Sequence, residues 1–327
     1  MLSAIVNIDF EQMKPLNNEG LNSQVYTFYD KQLGGEFIAK KVAKSMIYAD
    51  YKSNDPDNLF AESNILYRVK HPNIMEIQYA GYDDENIYMI MPKYEKGSIQ
   101  SILNKRFLTV REILKYSLEF LSGLHYIHTY GLIHFDIKPT NILINNNGKA
   151  VLTDFGLAKY AEDYGMATPN KLYGSITPPE ACKGEKLSNK ADIYQAGITM
   201  YRMCINASLW NQQCNSKCDV DNVINGTFPD RKFYLPHIPN KLKRIINKCM
   251  AVNPDDRYET VLDIINDISS IGDNIEWEYQ VDASEKQVWR RLNKKETHYE
   301  CIVFVRDGEK YKVYGEKVKY QINQCLK

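Results

Sequence analysis

The chain has 327 residues, of which 44% are hydrophobic, with 41 basic and 41 acidic side chains. That is length for about two domains of roughly 100 to 200 residues, with enough apolar side chains for a sizeable core. A net charge of zero excludes a global field drawing the chain to nucleic acid or a membrane, so any such partner must be recognised locally. In chain order, VYTFYD (25–30) and EFIAKKV (36–42) are β-branched and aromatic runs around Gly34 and Gly35, a hairpin signal. NLFAESNILYRV (58–69) spaces Leu59, Ile65, Leu66 and Val69 as a helix does, ending before His71-Pro72, and NIYMIM (86–91) is a buried strand. From Val110 the pattern is helical, with Ile113, Leu114, Leu118, Leu121, Leu124 and Ile127 on one stripe. Further helices are predicted at 189–205, 240–251 and 258–271, and Asn145–Asn147 with Gly148 forms a turn.

A strand-rich first part followed by a helical second part predicts an α+β, two-lobed fold. After a boundary near Gly272 the character changes again. IEWEYQV (275–281) and CIVFV (301–305) are strand-like, and Asp307-Gly308 before KYKVY marks another hairpin, so 273–327 is expected to be a small β-rich appendage. Residues 280–327 carry eleven Lys or Arg against seven Asp or Glu, with Trp289 beside Arg290 and Arg291. That composition is read as a solvated basic face, with docking or nucleic-acid binding as the alternative.

The seven cysteines are odd in number and scattered from Cys182 to Cys325, which argues for reduced thiols in a cytosolic setting. Cys214 and Cys218 are the close pair; a zinc site would need two more ligands from elsewhere. MLSAIVNIDF has no basic leader and meets Asp9 early, position 2 is Leu, Cys325 is one place off a prenylation box, and no run of about 18 apolar residues occurs. The expectation is a cytoplasmic protein without a membrane partner.

Chemistry concentrates in LIHFDIKPTNILI (132–144) and LTDFGLA (152–158), which bring Asp136, Lys138, Asn141 and Asp154 close in sequence. Phosphoryl transfer from ATP with Mg²⁺ needs such a set: a carboxylate to take the proton of an attacking hydroxyl, a lysine beside the moving phosphate, and an amide with a second carboxylate for the metal.

From about Leu16 to Ile271 the chain resembles the eukaryotic-type (Hanks-type) serine/threonine protein kinases, with HFDIKPTN as the catalytic loop and DFG as the metal-binding loop. The resemblance implies a kinase domain over 1–272, with an N-lobe to about 91 and a C-lobe from about 95. It implies Asp136 as proton acceptor, Lys138 beside the γ-phosphate, Asn141 and Asp154 as Mg²⁺ ligands, and structural roles for His134 and Phe155. Lys40 is expected to contact the ATP phosphates rather than Lys41, because alternation then lets Ala39 pack on the opposite face. Glu62 would pair with that lysine. Met91 is the expected gatekeeper, Pro92, Lys93 and Tyr94 the hinge, and Leu143 a further nucleotide contact. Pro92 suits a position asked only for its carbonyl, while Tyr94 supplies the amide donor. Asp192 would cap the catalytic-loop backbone, and Arg257 would pair with Glu180.

Three departures shape the expected activity. The phosphate loop has Asn18, Gly20, Ser23 and Val25 where the family reads G-x-G-x-x-G-x-V, so ATP binding is expected to be weakened but retained. Phe135 replaces the arginine that precedes the catalytic aspartate in many relatives, so activity should not depend on phosphorylation between Asp154 and Glu180. YGSITPPEA (173–181) is two residues shorter than usual where the acceptor docks; Ser175 or Thr177 would bridge Asp136 and Lys138, or, like Thr168, be autophosphorylated. Lys138 points to serine or threonine acceptors in a protein substrate, and Thr140 to no strong demand for arginine. A pseudokinase, a binding module on the same fold, is the alternative reading.

Overall fold

Asp30 and Gly34 build the first hairpin. Asp30 Oδ1 accepts the amides of Gln32 and Leu33 at 2.8 and 2.9 Å, and the Gly34 amide closes on the Asp30 carbonyl at 2.8 Å. Gly34 holds φ at +67°, a left-handed backbone that a Cβ resists. In the computed structural model, which describes residues 11–16, 23–51, 56–172, 174–272, 277–281, 287–294, 298–307 and 310–319, this hairpin lies within an antiparallel five-stranded sheet. Its strands are β1 (Glu11–Leu16), β2 (Gln24–Asp30), β3 (Gly35–Ala43), β4 (Tyr79–Tyr82) and β5 (Asn86–Pro92), in the order β1-β2-β3-β5-β4. Between β3 and β4 come α1 (Lys44–Tyr51), a 3₁₀ turn at Pro56–Phe60 and α2 (Ala61–Arg68), which buries Ser63, Ile65 and Leu66. Sequence periodicity missed α1, whose Met46 and Ile47 stand side by side rather than on a helical stripe.

The second lobe is helical. After the short α3 (Ile99–Leu103), α4 (Val110–Thr129) starts at a capping box: Thr109 Oγ1 accepts the Glu112 amide at 3.1 Å, and the Glu112 carboxylate accepts the Thr109 amide at 2.9 Å. Gly123 on α4 is required by packing, since a Cβ there would lie 2.6 Å from the Asn73 carbonyl oxygen. Two small antiparallel pairs follow, β6 (Leu132–Ile133) with β9 (Lys159–Tyr160) and β7 (Ile142–Ile144) with β8 (Ala150–Leu152). These pairs frame the loop 134–141 and the segment 153–158. A bridge from Ile74 to Leu152 ties the first lobe to the second.

Beyond α5 (Pro179–Cys182), the centre of the lobe is α6 (Asn189–Lys217), which buries Ile193, Tyr194, Ile198, Met200, Tyr201 and Ile205. A helix buried around most of its circumference belongs inside a core. It breaks at Asn206, which takes φ +72° and whose Oδ1 accepts the Leu209 amide at 3.1 Å, so a second helical stretch restarts from its own cap and runs past the predicted end at 205. The lobe is completed by α7 (Val220–Ile224), α8 (Asn240–Cys249) and α9 (Val261–Ser269). Among the described residues, no helix is long and apolar enough to cross a membrane.

The chain then forms β10 (Trp277–Val281), β11 (Gln287–Lys294), β12 (His298–Asp307) and β13 (Lys310–Lys319), an antiparallel sheet in sequence order with Asp307 paired to Lys310. Part of this sheet joins the core of the helical lobe. The Tyr279 ring meets Phe107 edge-on at 4.5 Å and stacks on His237 at 5.6 Å, and Trp289 Nε1 donates to His237 Nδ1 at 3.1 Å. Trp289 is therefore 5% exposed, which corrects its reading as part of an accessible basic surface; Arg290 beside it is exposed. The indole contributes packing because alternation turns it inward, opposite in sense to its arginine neighbour.

Candidate active site

Alternation along β3 places Ala39 fully inside and Lys40 on the cleft side. Lys40 Nζ bonds Glu62 Oε1 and Oε2 at 2.7 and 2.9 Å and Asp154 Oδ1 at 2.7 Å, while Lys41 lies over the Tyr88 ring at 6.0 Å. Glu62 comes from the first turn of α2, and Asp154 from the segment after β8. Burial pulls the Lys40 pKa down, but Asp154 and Glu62 outweigh it and hold the ammonium charged. Burial likewise raises Asp154, yet Lys40 overcomes it and brings the carboxyl to about 2. For Glu62 burial prevails over Lys40, so its pKa lies above the ordinary value.

Asp136 lies in the loop between β6 and β7. Its Oδ2 receives Asn141 Nδ2 at 2.7 Å and pairs with Lys138 Nζ at 2.9 Å, and Asn141 Nδ2 also reaches the Asp136 carbonyl at 3.0 Å. Its Oδ1 is buried without a hydrogen-bond partner among the described residues. Burial raises the Asp136 pKa, with Lys138 opposing. A buried carboxylate oxygen left unpaired carries a desolvation penalty that a donated proton would relieve.

The backbone under Asp136 is fixed from one face of α6. Asp192 accepts the amides of His134 and Phe135 at 2.8 and 2.7 Å, Gln195 accepts the Ile137 amide at 2.9 Å and donates to the Phe135 carbonyl at 2.8 Å, and Thr199 donates to the Ile137 carbonyl at 3.1 Å. Three polar side chains at i, i+3 and i+7 on a buried helix thus hold a loop in which Phe135 sits at φ +64°. A bulky residue in that region costs on the order of 1–3 kcal/mol and persists only where surroundings over-determine it. The Phe135 ring does so as well, buried among Ile133, Ala167, Leu187 and Ala191. Gln195 and Thr199 were missed by sequence reasoning, although polar residues recurring on one face of an otherwise apolar helix were the available signal. His134 is buried, with Nε2 3.2 Å from the Thr153 carbonyl and its ring 4.7 Å from Phe155, and burial lowers its pKa.

Met91, Tyr94 and Leu143 gather with Ile38, Met75 and Val151 in one apolar cluster at the junction of the lobes. Pro92 ends β5 opposite Phe37, and Val25 on β2 pairs directly with Lys40, with Ser23 just before that strand. Asn18 and Gly20 lie outside the described residues. Arg257 forms a two-pronged pair with Glu180, both at 2.7 Å, beneath the segment 174–178. Neither Ser175 nor Thr177 bridges Asp136 and Lys138. Asp136 Oδ1 has no hydrogen-bond partner among the described residues, so neither hydroxyl reaches it. The shortened segment turns at Gly174–Ile176 and buries Ile176.

The family model for the protein kinase domain matches residues 16–267. The chain belongs to the protein kinase family. It is 27% identical over 276 residues to a "probable serine/threonine-protein kinase" of Clostridium perfringens, covering 83% of this chain and 39% of that protein. To the serine/threonine-protein kinase PrkC of Bacillus subtilis it is 27% identical over 288 residues, 86% of this chain and 43% of the relative. A "probable serine/threonine-protein kinase PknB" of Lactococcus lactis is 24% identical over 263 residues, 79% of this chain and 41% of its own length. The chain thus spans about two fifths of the length of these relatives.

Proposed function

We propose that this chain is an active serine/threonine protein kinase that transfers the γ-phosphate of ATP to a hydroxyl of a protein substrate. The observation that carries the reading is the buried, unpartnered Oδ1 of Asp136, beside Lys138 and Asn141. In this reading the acceptor oxygen attacks the γ-phosphorus, the bond to the β–γ bridging oxygen breaks, and the hydroxyl proton passes to Asp136 as ADP departs. Lys138 balances charge at the phosphate, and Lys40, positioned by Glu62, binds the other phosphates. Asn141 and Asp154 would hold Mg²⁺, which supplies charge neutralisation between the phosphates. The fit is supported by Asp154, held ionised by Lys40, and by Asn141, whose amide nitrogen is spent on Asp136 and whose side-chain oxygen, among the described residues, receives one long contact of 3.4 Å from Thr140. Met91, Leu143, the Pro92 carbonyl and the Tyr94 amide would receive adenine. Asn18, Gly20, Ser23 and Val25 would cover the phosphates with weaker affinity than a three-glycine loop.

The relatives' names support serine and threonine as acceptors. Phe135 supports activity that needs no phosphate in the activation segment, because an apolar ring occupies the place from which a guanidinium would bind one. Five described cysteines are free thiols, which supports a cytoplasmic, reducing setting. Residues 273–327 are read as a small β-rich appendage with a solvated basic face rather than a nucleic-acid site, Arg290 being exposed among the described residues. The test is labelled Mg-ATP with the purified chain and generic protein acceptors. Label on serine or threonine that disappears in Asp154→Ala is expected; nucleotide binding without transfer to any acceptor would refute the reading and leave a binding module.

A further inference from the structure

The helix α8 carries Lys241, Lys243, Arg244 and Lys248, and residues 240–250 contain no Asp or Glu, in a chain whose basic and acidic totals are equal. Its apolar side faces inward and buries Leu242, Ile245, Ile246 and Cys249, so the cations share the outer side, with Lys241, Arg244 and Lys248 in one row at i, i+3 and i+7. The helix is fixed closely against α6, since a Cβ at Gly197 would lie 2.7 Å from Cys249 Cβ and 2.8 Å from Met250 Cγ. No carboxylate answers the four charges. Ion pairs among the described residues engage cations of β3, the hinge, α4, the loop 134–141 and α6, and none of α8. The contacts of α8 are neutral instead: Lys241 donates to the Ser270 hydroxyl, and Lys243 and Lys248 lie over the Tyr234 and Tyr258 rings at 5.8 and 4.1 Å. Asp263 on the neighbouring α9 is turned to Thr260, accepting its amide at 3.0 Å and its hydroxyl at 2.7 Å. Lys241 and Lys243 also stand in the first turn, where the helix dipole favours anions, and the row repels itself at i, i+3 and i, i+4. Charge held uncompensated in this way is complementary to a row of carboxylates.

We propose that Lys241, Arg244 and Lys248 form a docking surface for an Asp- or Glu-rich segment of a protein, which in an active kinase selects acidic substrates. The effect on substrate choice rests on the kinase reading above; the binding does not. At 1.5 Å per residue the row runs about 10 Å along the helix, and an extended segment with acids at alternate positions sets its carboxylates about 7 Å apart, so two or three of them meet the three cations. A nucleic acid fits less well, because the rings beside the row lie beneath Lys243 and Lys248 and leave no face on which a base can stack. A lipid surface also fits less well, since the apolar side of α8 is spent in the core. Arg244 and Lys248 are exposed and Lys241 is half-exposed, so salt screens the attraction and each pair is weak. The row recruits acidic proteins rather than holding them tightly.

The test is fluorescence anisotropy of a labelled peptide of alternating Glu and Ser with the full chain, beside the same peptide with Gln for Glu. The acidic peptide is expected to bind, more weakly as salt is raised, and the Gln peptide is not. Lys241→Gln, Arg244→Gln and Lys248→Gln together should weaken binding about ten-fold, whereas Lys70→Gln, Lys105→Gln and Lys149→Gln, the same loss of charge from exposed positions elsewhere, should leave it within about two-fold. In transfer assays the α8 variant should raise KM several-fold for dephosphorylated casein, an acidic acceptor, with kcat, Mg-ATP affinity and KM for histone, a basic acceptor, unchanged. No binding of the acidic peptide, binding that ignores salt, equal losses in the two triple variants, an unchanged KM for casein in the α8 variant, or tighter binding of a single-stranded oligonucleotide or of anionic vesicles through the same three residues would each overturn the proposal. The comparison of peptides uses the parent chain and so decides the matter even where a variant fails to fold. Because binding is read without turnover, a chain that holds the acidic peptide through α8 and transfers no phosphate would refute the kinase reading and leave the docking surface standing.

Discussion

Five hydrogen bonds from Asp192, Gln195 and Thr199 hold the backbone from His134 to Ile137, whereas the Gly174–Ile176 turn is closed by the Thr177 amide on the Gly174 carbonyl. The first region is clamped by a buried helix and keeps a strained Phe135 in place. The second is anchored by the buried Ile176. The difference separates chemistry from acceptor choice: loop geometry is built into the core, while the segment beside it can vary in length and be tuned without disturbing Asp136.

The comparison breaks most visibly at Gln195. Gln195→Leu strands the Ile137 amide and the Phe135 carbonyl, each at a cost of about 1–3 kcal/mol, so urea unfolding should show a loss of about 2–5 kcal/mol together with loss of transfer. Thr177→Ala, on the other side of the comparison, should shift stability by no more than about 0.5 kcal/mol. A loss of similar size at both sites would remove the distinction.

His237 offers a pH lever on the appended sheet. Burial lowers its pKa to about 4, and Trp289 donates to Nδ1, which a protonated ring could not accept. With the folded pKa below the unfolded value of about 6.5, the unfolded chain binds the proton first, so stability is complete above about 6.5 and falls as pH drops toward 4. The loss should be on the order of 2–3 kcal/mol, read as the difference between the parent and His237→Phe across that window. Parallel pH profiles would show that the sheet does not depend on this contact.

Phe135→Leu sharpens the comparison within the clamped loop itself. It removes part of one ring from a packed cluster, for about 1–2 kcal/mol, and transfer should survive phosphatase treatment in both parent and variant. Activity abolished by phosphatase would mean that a phosphate, and not the apolar contact, orders the activation segment.

Much of this was legible from the residues, for reasons that differ between regions. The β2–β3 hairpin, α2 and α4 carry period-two or helical stripes, and Lys40 could be told from Lys41 because Ala39 needs the buried face. The loop motifs marked Asp136, Lys138, Asn141 and Asp154, and the structure brings Asp136, Lys138 and Asn141 together as neighbours and joins Asp154 to Lys40. What escaped depends on long-range packing. Gln195 and Thr199 gain meaning only when the loop lies against α6, and the restart at Asn206 hides in a run that keeps helical character on both sides. Trp289 beside two arginines looked like a surface until His237 of the helical lobe and Tyr279 of the adjacent strand β10 emerged as its neighbours.

The most direct measurement is the single-turnover rate of phosphate transfer by Asp136→Asn beside the parent, with Mg-ATP affinity measured on both. If Asp136 takes the acceptor proton, the rate falls by about 10²–10⁴-fold while nucleotide affinity stays within a few-fold. It should fall likewise in the parent as pH drops through the raised pKa of Asp136. A variant that transfers phosphate as fast as the parent, with the same pH profile, would contradict the account.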